Sequence, residues 1–242
     1  IVSNSSWSVY NFRRKKLQYF RKLGYHVNIV APYEEKYSDL LISDKFSFYS
    51  WKLLRASSNP FSEVFALISL YKILFKLRSN LILTYSPKGN LYTSIVSSMR
   101  KGHLINNISG MGNVFSDSSN VMQKFLIKSF YKLVLNVVSH VFFQNQDDLE
   151  MFEHGRLLGF TPYSILPGSG VDVERFIPQS KIQPSEGGLK FIFVGRLLEE
   201  KGVYDLIQAI KMSKKQFPQN EFYLQGLFEP SRPNAITIDE VQ

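Results

Sequence analysis

Two cations, Arg196 and Lys201, bracket the charged turn of the segment FIFVGRLLEEKGVYDLIQAI. Residues 191–194 are a short apolar run ending at Gly195, and after Lys201-Gly202 the apolar residues Val203, Leu206, Ile207 and Ile210 recur at helical spacing. This pattern predicts a strand, a turn and a helix. Arg196 then lies at a strand's carboxyl end and Lys201 on the first helical turn, across the crevice where open α/β sheets bind ligands and unpaired backbone N–H groups favour an anion. A diphosphate suits that chemistry: a guanidinium grips two oxygens, an ammonium adds a point charge, and Gly195 lets the backbone come close. The helix dipole opposes a first-turn lysine by ~0.3–1 kcal/mol, so Lys201 asks for a compensating anion. Glu199 and Glu200 are local candidates, and spacing alone leaves a solvated charged turn open.

The elements that would position these groups alternate along the chain. A helix over 11–23 has Phe12, Leu17, Phe20 and Leu23 inward and Gly24 as its cap, and the strand HVNIVAP follows. Further strands are expected at 81–85, 104–108, 141–145 and 163–166, with helices at 91–99, 121–138 and 147–152 between them. Strand and helix in turn predict a doubly wound parallel sheet of the α/β class. The polar stretch over 178–188 reads as a linker between a first domain, 1–177, and a second, 189–242. The second holds a strand at 191–194, a helix at 203–214, a strand at 221–225 and a tail containing proline.

The 242 residues, 44% hydrophobic with 20 Phe and 13 Tyr, can bury a sizeable core. There is no cysteine, and His26, His103, His140 and His154 lack metal-ligand spacing, so neither a disulfide framework nor a metal site is expected. Lys72 and Lys76 interrupt the apolar segment 64–77, and Ser139-His140 punctuates 133–143, so no run spans a membrane. IVSNSSWS lacks the basic region and long apolar core of a signal peptide. Up to Gly187 there are 22 Lys and Arg against 13 Asp and Glu, a net +9, whereas seven of each follow. A basic face meets nucleic acid or an anionic membrane; without a nucleic-acid motif, the membrane is favoured. Arg13, Arg14, Lys15, Lys16, Arg21 and Lys22 crowd one helix, as a solvated face or a lipid-facing patch. Lys124, Lys128 and Lys132 stripe another, which reads as a surface helix or an interfacial anchor.

VGRLLEEKG before an amphipathic helix resembles the donor-site signature of the retaining GT-B glycosyltransferases of the "glycosyl transferases group 1" family (family 4). In the same order, SNSSWSVYNFR, SPKGNLYTS, NNISGMGNVF, VFFQNQDDLEMF and LPGSGVDVERF resemble landmarks of its bacterial surface-polysaccharide branch. The resemblance implies transfer of a sugar, with retention, from a UDP- or GDP-linked nucleotide-sugar donor to a polyprenyl-diphosphate-linked glycan, as in capsule or O-antigen assembly. It implies a cytoplasmic protein, peripheral on the inner membrane face, with no metal or other cofactor and no nucleic-acid partner. Arg196 and Lys201 become the catalytic cations, with Gly195 and Gly170 beside the donor. Asn4, Ser5 and Ser6 after the first strand, Lys88 and Asn90 after the second buried strand, Gly110 and Gly112 after the third, and Asn145 in QNQDD become cleft-loop residues. Met111 stands where leucine is commoner in the branch. Read without their neighbours, GMG is equally an ordinary turn and QNQDD an N-cap. Asp172, Arg175 and Phe176 are expected to be structural.

The pairs Glu34-Glu35 and Glu199-Glu200 are expected to be solvated rather than a glycosidase couple. The family's acidic motif, two glutamates eight apart, has no counterpart: Glu240 has no partner. The chain is therefore expected to be C-terminally truncated, and alone to bind donor weakly and turn over little. Two other readings stay open: a GT-B-fold sugar-nucleotide epimerase or phosphorylase, and a non-catalytic basic module for membranes or nucleic acid.

Overall fold

Three residues at the start of the chain hold the main sheet together. The computed structural model describes residues 1–54, 59–99, 102–110, 121–178, 188–226 and 235–236. In it Val2 bridges Val30 on one side and Thr84 on the other, both in parallel. Val2 N donates to Leu83 O at 2.9 Å, Ser3 N to Val30 O at 3.0 Å and Tyr85 N to Val2 O at 2.9 Å. On one flank lie β1 (Asn28–Ala31) and β2 (Ser47–Ser50); on the other lie β3 (Leu81–Tyr85), β4 (His103–Ile108), β5 (His140–Phe143) and β6 (Tyr163–Ile165). Every pairing is parallel, from Asn28↔Ser47 to Thr84↔Asn106 and Phe143↔Ile165.

The order in which strands are added to this sheet reverses beside residues 1–3. Right-handed crossovers then place α1 (Ser6–Lys22) and α2 (Glu35–Ser43) on one face, and α3 (Pro60–Leu77), α4 (Pro87–Ser97), α5 (Val121–Val134) and α6 (Gln146–His154) on the other. The core divides accordingly. Val9, Leu17, Ile29 and Leu41 form one cluster, and Leu70, Leu74, Tyr131, Phe143 and Phe152 belong to the larger one. The chain falls into two compact units, Ile1–Phe176 and Ile177–Gln242. In the second, β7 (Lys190–Val194) pairs in parallel with β8 (Glu221–Gln225), joined by α7 (Val203–Gln216). Of the expected linker, residues 179–187 lie outside the described residues.

Several expectations need correction. Helix α1 starts at Ser6, not at residue 11, because Ser5 is its N-cap and accepts from Ser8 N at 3.3 Å. Helix α4 starts at Pro87, whose fixed φ suits a first helical position, rather than at residue 91. The helix from residue 121 is α-helical only to Val134, and Leu135–Val137 tightens into a 3₁₀ turn. Arg13 does not belong to a solvated face: it is 7% exposed. Lys201 precedes its helix, in the 3₁₀ turn Glu199–Lys201, with Gly202 as the N-cap of α7 at φ 70°.

Parallel strands covered on both faces are expected to be apolar throughout, yet the carboxyl halves of β3 and β4 bury a polar cluster. Asn90 Nδ2 donates to Asn107 O at 3.0 Å, Asn106 Nδ2 to Ser94 Oγ at 3.0 Å and Asn107 Nδ2 to Thr84 O at 3.2 Å. The Thr84 hydroxyl lies 2.7 Å from both Asn90 Oδ1 and Asn106 Oδ1, and its single proton serves one at a time. This cluster ties α4 to the two strands that carry the loops above it. Replacing Asn106 strands the amide and hydroxyl groups around it, so Asn106→Ala should lower stability by about 1–3 kcal/mol. In urea unfolding that appears as a lower midpoint at unchanged slope.

Candidate functional site

Ligands of an open α/β sheet bind outside the carboxyl ends of its strands, where the strand order reverses. Here that place lies between the loop after Val2 and the turn after β3. In the loop, Ser5 and Ser6 are wholly buried, and of the three residues expected here Asn4 alone keeps an exposed part. The reason is Glu34. Its carboxylate accepts from Ser5 Oγ at 3.1 Å, from Ser6 Oγ at 2.7 Å and from Trp7 N at 2.6 Å, so a side chain already occupies the amino end of α1. The Glu34-Glu35 pair is therefore not simply solvated. Glu34 lies 27 residues from Trp7 in sequence, and no local pattern marks it as a cap.

In the facing turn, Ser86 has φ 75° and ψ 151°, a region open in practice to glycine, and its buried Oγ has no partner among the described residues. Lys88 Nζ bonds Glu63 Oε1 at 2.7 Å, the same carboxylate that takes the Tyr92 hydroxyl. Burial, then that carboxylate, raises the Tyr92 phenol well above its usual range. Asn90 is 1% exposed and belongs to the polar cluster beneath the crevice. Gly110, two residues past β4, has φ 117° and open space where a Cβ would stand, while Gly112 lies outside the described residues. Asn145 caps α6: its Oδ1 accepts from Asp148 N at 2.7 Å, and its Nδ2 donates to Asp148 Oδ2 at 2.8 Å.

After β6 the chain returns across these carboxyl ends as a strap. Gln144 Nε2 donates to Ser169 Oγ at 3.0 Å, and Lys15 pairs with Asp172 at 3.5 Å and with Glu174. Asp172 Oδ1 also accepts from the backbone N–H groups of Glu174 and Arg175 at 3.2 and 3.3 Å, which turns the strap. Gly170, at φ 76°, lines a cavity of about 640 Å³ between the strap and α1.

In the second unit the residues expected at a donor site, Gly195, Arg196 and Lys201, follow the carboxyl end of β7. Gly195 N donates to Gln225 O at 3.0 Å, and a Cβ on the next residue, Gly226, would sit 1.8 Å from Gly195 O. Only glycine fits at 226, a constraint the sequence signals no more strongly than by a glycine after a strand. Arg196 Nη2 lies 3.6 Å from Glu200 Oε1, so the glutamate that was a candidate counter-ion for Lys201 serves Arg196. Lys201 is exposed and has no carboxylate within ion-pair distance among the described residues. The N-cap residue of α7, Gly202, has no side chain with which to cap it. Two cations within one turn, a helix that starts at a glycine and a backbone bare of side chains at the strand edge are the kinds of group that receive a diphosphate. No cluster of His, Cys, Asp and Glu among the described residues could hold a metal ion.

No family model matches the chain, and no curated protein matches it in sequence. Solved structures do match. Sucrose-phosphate synthase from Thermosynechococcus elongatus aligns with a TM-score of 0.63 at 14% identity, over 92% of this chain and 57% of that one. A glycosyltransferase from Rickettsia africae aligns at 0.61 and 12%, over 93% and 67%, and UDP-N-acetylglucosamine 2-epimerase from Rickettsia bellii at 0.56 and 14%, over 93% and 61%. The chain thus spans about three fifths of their lengths. The fold is GT-B, of Rossmann-like units with parallel sheets.

Hydrogen bonds to an ionised acceptor contribute about 1.5–3 kcal/mol each, so Glu34→Ala should destabilise the first unit by about 3 kcal/mol and Glu34→Gln by less. Denaturant melts of the two variants check the order.

Proposed function

We propose that this chain belongs to a retaining glycosyltransferase that moves a sugar from a UDP- or GDP-sugar to a polyprenyl-diphosphate-linked glycan in surface-polysaccharide assembly, such as capsule or O-antigen. The observation that carries the reading is Lys201, an exposed cation with no carboxylate partner among the described residues, in the turn that holds Arg196 and leads into α7 at Gly202. Two of the similar structures support a sugar substrate by name, one a glycosyltransferase and one acting on a UDP-sugar.

As the glycosidic bond to the nucleotide breaks, negative charge grows on the departing diphosphate. Fixed cations that meet this charge lower the barrier most when they need no rearrangement. Lys201 is ready as a point charge. Arg196 exchanges its 3.6 Å contact with Glu200 for two diphosphate oxygens. Gly195 and Gly226 keep side chains away from the place where the diphosphate meets the backbone. The reading uses these side-chain charges, with no metal ion, to stabilise the leaving group.

The acceptor's lipid places the protein on the cytoplasmic face of an anionic membrane, and the outer face of α3 supports this. No helix among the described residues is long and apolar enough to cross a membrane. Yet α3 buries Ala66, Leu70 and Leu74 while exposing Phe61, Val64, Phe65 and Ile68 on its other side. Large apolar residues in a row on a helix face mark a contact surface. Its acid, Glu63, is held by Lys88 and Tyr92, whereas Lys72 and Lys76 are exposed. Such a face suits anionic headgroups with apolar chains beneath.

Arg196→Ala and Lys201→Ala should each abolish transfer by the whole protein, read as release of UDP or GDP in the presence of a polyprenyl-diphosphate glycan, without lowering its melting temperature. Arg196→Lys should recover little, since it lacks the bidentate grip. Consumption of UDP-sugar without acceptor, with unchanged rates in both variants, would contradict the transferase reading and favour an epimerase. On the membrane side, a Phe61→Ser/Phe65→Ser variant should bind anionic vesicles at least about 10-fold more weakly, each lost phenylalanine contributing ~1.5–3 kcal/mol. Equal binding to neutral vesicles and indifference to salt would argue against the electrostatic part.

A further inference from the structure

A cavity of about 830 Å³ opens at the end of the first sheet away from the crevice. Val138 and Pro162 in its wall precede β5 and β6, so it lies at the amino ends of these strands, whereas the crevice lies at the carboxyl ends. One wall is the end of α5 with Lys132 and Leu133; the other is the turn after α6 with Arg156 and Phe160.

Backbone contacts fix the distance between these walls. Thr161 Oγ1 donates to Leu135 O at 2.8 Å, and Val141 N donates to Pro162 O at 2.9 Å, which ties the turn to the end of α5 and to β5. The turn bends through Arg156 and Gly159 at φ 49° and 57°. A left-handed arginine is uncommon and persists where the surrounding structure holds it. A Cβ at position 159 would stand 3.0 Å from Asn136 Oδ1, so the walls meet there. Beneath them Val138 and Leu157 are buried and make the floor apolar.

The rim is apolar and cationic at once. Leu133 is 71% exposed and Phe160 wholly so. Single exposed apolar residues are ordinary, but two bulky ones on the rim of one cavity with an apolar floor form a patch, and a patch marks a contact. Lys132 and Arg156 are also exposed, and neither has a carboxylate within ion-pair distance among the described residues. Glu153, the nearest acid in sequence to Arg156, accepts from the Tyr163 hydroxyl at 2.6 Å instead. None of the residues lining the cavity is acidic.

These features select the occupant. A bilayer lies against a helix face, as α3 offers, and does not reach a floor set between two walls. A second copy in a two-fold contact would bring the same cations toward each other, on a chain whose net charge is already +9. A segment with a large apolar side chain between carboxylates meets both conditions, the apolar group entering between Leu133 and Phe160 and the acids meeting Lys132 and Arg156. We propose that this cavity docks an acidic, apolar linear segment of a partner protein at the amino edge of the sheet, leaving the crevice open. The proposal does not depend on the reaction assigned to the crevice.

Fluorescence polarisation on the full chain tests it, with a labelled peptide of alternating glutamate and leucine as the probe. One control peptide has lysine for glutamate, the other serine for leucine. Wild type should bind the probe at least about 10-fold more tightly than either control. Phe160→Ser should weaken it at least about 10-fold, and Arg156→Glu should weaken the probe while strengthening the lysine peptide. Both side chains are exposed, so melting temperatures should stay at the wild-type value; if Phe160→Ser melts lower, the exchanged preference of Arg156→Glu decides alone. No binding of the probe by wild type, equal affinity for the three peptides, or unchanged affinity in Arg156→Glu would overturn the proposal. Anionic vesicles whose binding falls about 10-fold in Phe160→Ser would make the rim a membrane contact and overturn it too. So would self-association in sedimentation velocity that Leu133→Ser abolishes, since the seat would then belong to a second copy.

Discussion

Everything at the carboxyl edge of the first unit depends on Val2 lying between Val30 and Thr84. A strand of three residues has few hydrogen bonds of its own, yet this one joins the two flanks of the sheet and fixes where the chain reverses. With it in place, α1 must start on one face and α4 on the other, and their amino ends open toward a shared crevice. The buried amides of Asn90, Asn106 and Asn107 are the counterpart on the β3 side, holding the turn after β3 at a set height. Glu34 does the same for the loop after Val2.

Charge in the molecule is distributed along that edge by a simple rule. Cations with a structural task have acids: Arg14 has Asp44, Lys15 has the strap and Lys88 has Glu63. Other cations are held differently. In the second unit Arg196 lies 3.6 Å from Glu200 and Lys201 has no carboxylate within ion-pair distance among the described residues; in the first, Arg13 and Lys16 stand against the Tyr85 ring.

Sequence exposed the repeating parts of this design better than the joints. Strand β8 falls at residues 221–225 as expected because a short apolar run bounded by polar residues reads directly as a strand, though none of its residues is buried. Helix α3 was passed over because it is apolar all round, so no one-sided stripe marks it; its outward phenylalanines become informative only once the inward face is known. Helix α2 and β2 were missed in a mixed charged and aromatic stretch with weak periodicity. The serines before Trp7 read as loop, since the carboxylate that orders them comes from elsewhere in the chain. The cations of α1 were visible as a cluster, but which of them are buried is set by Tyr85 and the strap, which are tertiary facts.

The proposed function requires the turn after β7 to receive the diphosphate of a nucleotide. Hydrogen exchange of the whole protein with and without UDP tests it most directly, because backbone N–H groups at the start of α7 are where the diphosphate must sit. The account predicts slower exchange across residues 195–203 when UDP is present. Unchanged exchange there, with protection confined to another part of the molecule, would contradict it.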